Sequence, residues 1–229
     1  MCKTLLEVNM IQAVILDMDG ILIDSERHWQ LTERAIFAEL GIDLTDELLV
    51  QTRGLRTEEM VAHWSARFPM DGTDPGALME DYDRRMVKTM KREVPLMEGA
   101  RELIRMFREM GLPVALATCS TEDHIDAVME KHGLRASFDL LVSAAVDMPG
   151  KPHPEVFLRT ASLLKVDPTS CLVFEDSFYG VVAGKAARMK VVAMPDHSEF
   201  NQERFGAADL KIRSLCDFTL DKFNKLQEN

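Results

Sequence analysis

No uninterrupted apolar stretch in the 229-residue sequence reaches the ~18 residues that a membrane-crossing helix needs, so a spanning protein is not expected. Cysteine is scarce and scattered. The four, Cys2, Cys119, Cys171 and Cys216, form no C-x-x-C pair. In a chain of this length that excludes a disulfide framework and a cysteine zinc site and fits reduced thiols. The six histidines show no H-E-x-x-H or similar zinc spacing. The first residues, MCKTLLEVNM, carry one Lys and an apolar run broken by Glu7. No secretory signal is therefore expected, and the cytoplasm is the expected compartment. Positive charge is in deficit, 27 basic residues against 38 acidic for a net charge of −11. This argues against nucleic acid or an anionic membrane surface as the main partner. It leaves an anionic small substrate open, because a few basic residues and a metal reverse the sign locally. Internal repeats and low-complexity tracts are absent.

What is present is globular: 46% hydrophobic and 28% charged residues, enough for a sizeable core. The length suits one α/β domain with an insertion, or two small domains. Runs that are apolar throughout, at 11–17, 113–118, 139–143, 171–175 and 190–194, predict strands buried on both faces of a parallel sheet. Helical patterns fall between them at about 98–110, 121–132, 154–164 and 178–188, with Pro154 in a first turn and Gly111 just past an end. This rhythm predicts a doubly wound, Rossmann-like α/β sheet. Residues 26–93 break it. They show only amphipathic helical patterns (27–40, 45–51, 57–68, 76–92), separated by turns at Gly41, Gly54 and 69–76. We expect an all-helical insertion at 26–93 and a core formed by 1–25 and 94–229.

Four segments carry chemistry. In AVILDMDGILIDSE (13–26), an apolar strand ends in Asp17, with Asp19 two positions on and then Gly20. Open α/β sheets bind ligands outside the carboxyl ends of their strands, so a reactive carboxylate belongs there. Two such carboxylates repel unless a cation or a shared proton relieves them, and hard oxygen ligands suit Mg²⁺. One can attack phosphorus while the other transfers a proton. In VFEDSFYG (173–180), Glu175 and Asp176 close another strand. If that strand lies beside the first, three or four carboxylates converge at one edge and need a metal. Capping of the next helix by Asp176 or Ser177 explains one acid, not two. In LATCS (116–120), Thr118 offers a hydroxyl and the following amides can bind phosphate oxygens, with Cys119 beside them. By itself this segment reads as a strand end with Ser120 or Thr121 capping. In GKPHPEVF (150–157), Lys151 sits among Pro152 and Pro154 on a turn that can hold it against a phosphoryl group.

Two other motifs are set aside. A cysteine phosphatase needs an arginine six positions after its cysteine, and six after Cys119 stands Ile125. Gly180 to Ala186 has three residues between glycines instead of four, and Ala where a P-loop needs Ser or Thr. The 15 methionines read as core and cap filler.

In this order the four segments resemble the haloacid dehalogenase superfamily of phosphotransferases, over nearly the whole chain. The resemblance implies that Asp17 becomes an aspartyl-phosphate and that Asp19 protonates the leaving oxygen and later activates water. It implies Mg²⁺ at Asp17, the Asp19 main-chain carbonyl and Asp176, with Glu175 in the same acidic set, and phosphoryl contacts from Thr118 and Lys151. An acid that protonates an alkoxide disfavours dehalogenation. Ile21 stands where Thr or Val is usual, at a turn position expected to tolerate it. The 26–93 insertion resembles the helical cap of the β-phosphoglucomutase-like subgroup. There Arg53 and Arg56, in TRGLRTEE (52–59), are candidate anion or sugar contacts. Within the subgroup, LIDSERHW, RGLRTEEMVAHW, KPHPEVFL and FEDSFYGVVAGKAARM are similar to bacterial sugar phosphatases of the 2-deoxyglucose-6-phosphatase and hexitol phosphatase kind. Trp29 replaces the cap histidine of the mutases, which favours hydrolysis. The expected protein is thus a monomeric, Mg²⁺-dependent phosphatase of small phosphorylated metabolites, hexose or hexitol phosphates first. A sugar phosphomutase is the alternative and a non-catalytic binding module the second.

Overall fold

The computed structural model describes residues 10–145 and 148–228. The reading of the N-terminal residues, Cys2 included, lies outside them. Six strands form one parallel sheet in the order β3-β2-β1-β4-β5-β6. They are β1 (Ala13–Leu16), β2 (Val114–Thr118), β3 (Leu140–Ser143), β4 (Cys171–Glu175), β5 (Lys190–Ala193) and β6 (Leu210–Lys211). This is the doubly wound arrangement that the apolar runs predict. β1 is central, pairing Val14 with Val114 on one side and with Leu172 on the other. Its four residues are all buried because each face meets a different layer. Val14 and Leu16 pack with Phe107 and Phe174 on one side of the sheet, Ala13 and Ile15 with Phe157 and Val173 on the other. A strand used on both faces cannot alternate with polar residues.

The helices on the sheet are α5 (Ala100–Glu109), α6 (Glu122–His132), α7 (Glu155–Leu164), α8 (Phe178–Ala186) and α9 (Leu220–Glu228). Thr121 caps α6 through the His124 amide, and Ser177 caps α8 through the Gly180 amide. Pro154 is the N-cap of α7 and not within its first turn. Gly111 follows α5 with a φ of 75°, a left-handed position that glycine takes without strain. β6 and α9 were not read from the sequence.

Between β1 and β2 the chain forms α1 (Glu26–Glu39), α2 (Asp46–Leu49), α3 (Thr57–Arg67) and α4 (Pro75–Arg92). α4 packs on α1, on α3 and on α6. Its inward stripe of Leu78, Tyr82, Met86 and Met90 has the i, i+4 spacing of one helix face. No described helix is long and apolar enough to cross a membrane.

Candidate active site

The strand order reverses between β1 and β4 in the parallel sheet, which opens a crevice at their carboxyl ends, where doubly wound sheets bind ligands. Asp17 is the first residue beyond β1, and its amide still donates to Phe174 O on β4 at 3.0 Å. Glu175 is the last residue of β4, so adjacent strands deliver two carboxylates to one edge. Lys151, on the loop after β3, enters between them. Its Nζ lies 2.7 Å from Asp17 Oδ1 and 2.5 Å from Glu175 Oε1, and it also donates to Ala117 O at 3.3 Å. The ammonium sits 5.0 Å from the Phe157 ring centroid.

This cluster is largely buried, and its charges shift accordingly. Burial raises the Asp17 carboxyl to about 8, with Lys151 opposing and Glu175 and Asp19 reinforcing the rise. Burial works against the charge on Lys151, but Asp17 and Glu175 overcome it and hold the ammonium above the ordinary lysine range. Burial, then Glu175 and Asp17, push Asp176 well above the usual carboxylate range.

The oxygens divide the work. Glu175 is committed inside the protein: Oε1 to Lys151, and Oε2 to the Ser177 amide and hydroxyl, each at 3.1 Å. Asp176 accepts no hydrogen bond among the described residues. Its Oδ2 lies against Gly20, where a Cβ would come within 2.3 Å, and Gly20 has a φ of 72°. Carboxylate oxygens of Asp17, Glu175 and Asp176 lie within 4.8 Å of one another. An uncommitted, partly desolvated carboxylate beside another is the donor set that a hard divalent cation fits. Asp17 and Asp176 supply it; Glu175 belongs more to Lys151.

Asp19 faces away from that set. Oδ1 accepts from Ser25 Oγ at 2.5 Å and Trp29 Nε1 at 2.8 Å, and Oδ2 from Ser120 Oγ at 2.7 Å. Ser25 thus serves Asp19 rather than capping α1, on which it makes no side-chain cap bond. Sequence reasoning gave Ser25 no role and weighed Ser120 only as a cap. Its place in the DMDGILIDS segment was the only clue to Ser25. Trp29 also lies 5.5 Å from the Tyr82 ring and edge-on to His124 at 5.3 Å.

Thr118 is buried at the end of β2, and its Oγ1 accepts the Ser120 amide at 3.1 Å. Cys119 is half-buried, accepts the Lys151 amide at 3.5 Å, and burial raises its thiol. Both line a cavity of about 630 Å³ over Asp17 and Asp19. Arg53 and Arg56 also line it, each already paired with acidic side chains, although the buried Arg56 Nε has no hydrogen-bond partner. Arg53 faces Glu26 at 3.2 Å and Asp196 at 3.7 Å. Arg56 pairs with Glu58 at 2.9 Å and reaches Ala144 O and Met148 O at 3.5 and 3.4 Å. Both tie the helical segment to core loops. Ile21, the atypical turn residue, is fully buried.

Residues 14–194 match the family model described as haloacid dehalogenase-like hydrolase. Hexitol phosphatase B of Escherichia coli K12 is 40% identical over 210 residues, covering 91% of this chain and 95% of that protein. CbbY of Rhodobacter sphaeroides, solved with phosphate, superposes with a TM-score of 0.85 at 24% identity, covering 94% of this chain and all (100%) of the other. β-Phosphoglucomutase of Clostridium difficile superposes with a TM-score of 0.81 at 22% identity, covering 96% and 100%. The two structural likenesses concern the fold.

Proposed function

The chain belongs to the haloacid dehalogenase-like hydrolase family as a phosphoric monoester hydrolase, and from that premise we propose that it is a Mg²⁺-dependent phosphatase of hexose or hexitol phosphates acting through an aspartyl-phosphate. The observation that carries this reading is Asp17, held 2.7 Å from Lys151 at the strand edge and facing the cavity.

In the first step an Asp17 oxygen forms a bond to phosphorus while the bond from phosphorus to the sugar oxygen breaks. Asp19 gives that oxygen its proton. Lys151 and the donors around Thr118 face the phosphoryl oxygens, whose charge such a reaction chiefly needs neutralised. In the second step water attacks phosphorus, Asp19 takes the proton and the Asp17–phosphorus bond breaks. Mg²⁺, held by Asp17, Asp176 and the Asp19 main-chain carbonyl, would supply further positive charge at the phosphoryl group. Ser25, Trp29 and Ser120 fix the direction of the Asp19 carboxylate. Residues 26–93 act as a cap on a core of 1–25 and 94–229; a cap excludes water and selects substrates.

The test is phosphate release, with and without Mg²⁺, from 2-deoxyglucose 6-phosphate, sorbitol 6-phosphate, mannitol 1-phosphate and pseudouridine 5′-phosphate. Magnesium-dependent release led by the hexose or hexitol esters supports the reading. No release from any, alongside conversion of β-glucose 1-phosphate once a bisphosphate is added, replaces it with a phosphomutase.

A further inference from the structure

Glu33 sits in the middle of α1 and is 5% exposed, yet it lines the cavity above Asp17. A buried carboxylate is costly unless its oxygens are satisfied. Glu33 is satisfied on one side only. Oε1 accepts from Trp64 Nε1 at 2.5 Å and from Thr52 Oγ1 at 2.8 Å. Oε2 has no hydrogen-bond partner among the described residues. Trp64 and Thr52 lock the side chain from α3 and from the turn before Arg53, leaving Oε2 as the uncommitted oxygen of a buried, fixed acceptor.

The charges around the cavity point the same way. Each Lys or Arg among the described lining residues is already ion-paired. Arg53 faces Glu26 and Asp196, Arg56 faces Glu58, Lys151 faces Asp17 and Glu175, and Arg204 faces Glu199 at 2.5 Å. A second anionic group at the far end of a substrate would meet Glu33 and Glu26, while the arginines there already carry acidic partners and only the buried Arg56 Nε lacks a hydrogen-bond partner. A neutral hydroxyl would meet an acceptor.

We propose that Glu33 is a specificity-determining residue, whose Oε2 accepts a hydrogen bond from a hydroxyl of the leaving group and rejects substrates bearing a second anion there. The proposal rests on the phosphatase reading above and adds the residue that selects its neutral polyhydroxyl leaving group. A hydroxyl bonded to a buried charged acceptor contributes about 1.5–3 kcal/mol, or roughly tenfold to a hundredfold in kcat/KM.

The test compares three esters. Sorbitol 6-phosphate and 6-phosphogluconate differ only in carrying CH₂OH or carboxylate at the far carbon, and p-nitrophenyl phosphate lacks the hydroxyl chain. The wild-type enzyme is expected to prefer sorbitol 6-phosphate to 6-phosphogluconate. Glu33→Gln is expected to lower kcat/KM for sorbitol 6-phosphate about tenfold relative to that for p-nitrophenyl phosphate, and to raise the relative rate on 6-phosphogluconate. Trp64→Phe removes a donor to Oε1, leaves Oε2 in place, and should shift these ratios less. Equal loss on all three esters in Glu33→Gln, or the same ratio shift in Trp64→Phe, makes Glu33 a scaffold residue and overturns the inference. A wild-type preference for 6-phosphogluconate overturns it too and leaves the phosphatase reading standing. No release from any of the three by the wild type overturns both.

Discussion

Gly180→Ala sets two rules of protein stability against each other. Gly180 lies in the first turn of α8 with an ordinary helical backbone, and replacing a helical glycine by alanine gains at most about 1 kcal/mol from propensity alone. Here the new Cβ would lie 1.8 Å from Glu175 Cδ and 1.9 Å from Oε1. Glu175 is fully buried and held by Lys151 and by both Ser177 donors, so it cannot swing aside without breaking that set. Breaking a buried ion pair costs about 3–5 kcal/mol. The net expectation is a loss of about 2–4 kcal/mol, or roughly 5–15 °C in Tm for a chain of this size. Urea denaturation followed by circular dichroism measures it. Gly206→Ala, where nothing lies within 4 Å of the added Cβ, should change stability by less than about 1 kcal/mol. In Gly180→Ala with Glu175→Ala, the Cβ gains room, so the double-mutant cycle should show a coupling of about 2 kcal/mol or more. Stabilisation by Gly180→Ala, or simple additivity in the cycle, would refute the close approach of α8 to Glu175 and with it the fixed placement of Lys151.

Asp17→Asn should lower phosphate release at least about a thousandfold, the scale on which removal of a covalent nucleophile is felt; steady-state release near the wild-type rate would remove Asp17 from that role. Mg²⁺ affinity should rise with pH between about 6 and 8, because burial holds Asp17 at about 8 and pushes Asp176 upward, so protons compete for the oxygens at neutral pH and must leave before the cation binds. Calorimetry in two buffers of different ionisation enthalpy should detect the released proton, and a pH-independent affinity would sink the argument. Trp29→Phe keeps the ring packing on Tyr82 and loses the 2.8 Å bond to Asp19, which should lower kcat roughly tenfold with little change in KM.

The sheet and the core of the site were legible for one physical reason. A strand buried on both faces is apolar throughout, so the first polar residue after it marks the strand's end, and in a doubly wound fold that end is where ligands bind. Asp17, Thr118 and the Glu175–Asp176 pair announce themselves in this way. β6 did not, because two residues carry no periodicity and the strand exists only through its pairing with β5. The cap wall was opaque for a related reason. Glu33, mid-helix, has the local signature of a solvated glutamate, and its partners lie 19 and 31 residues away. For Arg53 and Arg56, candidate anion or sugar contacts by sequence, the acidic partners, Glu26 and Asp196 among them, are chosen by tertiary packing and leave no local signature. A residue type beside a strand end therefore indicates chemistry directly, whereas in the cap it indicates chemistry only once its pairing is known. The pairing adds what the sequence could not: acidic partners for both arginines, and for Glu33 a buried place in the cavity wall with Oε1 held by Trp64 and Thr52.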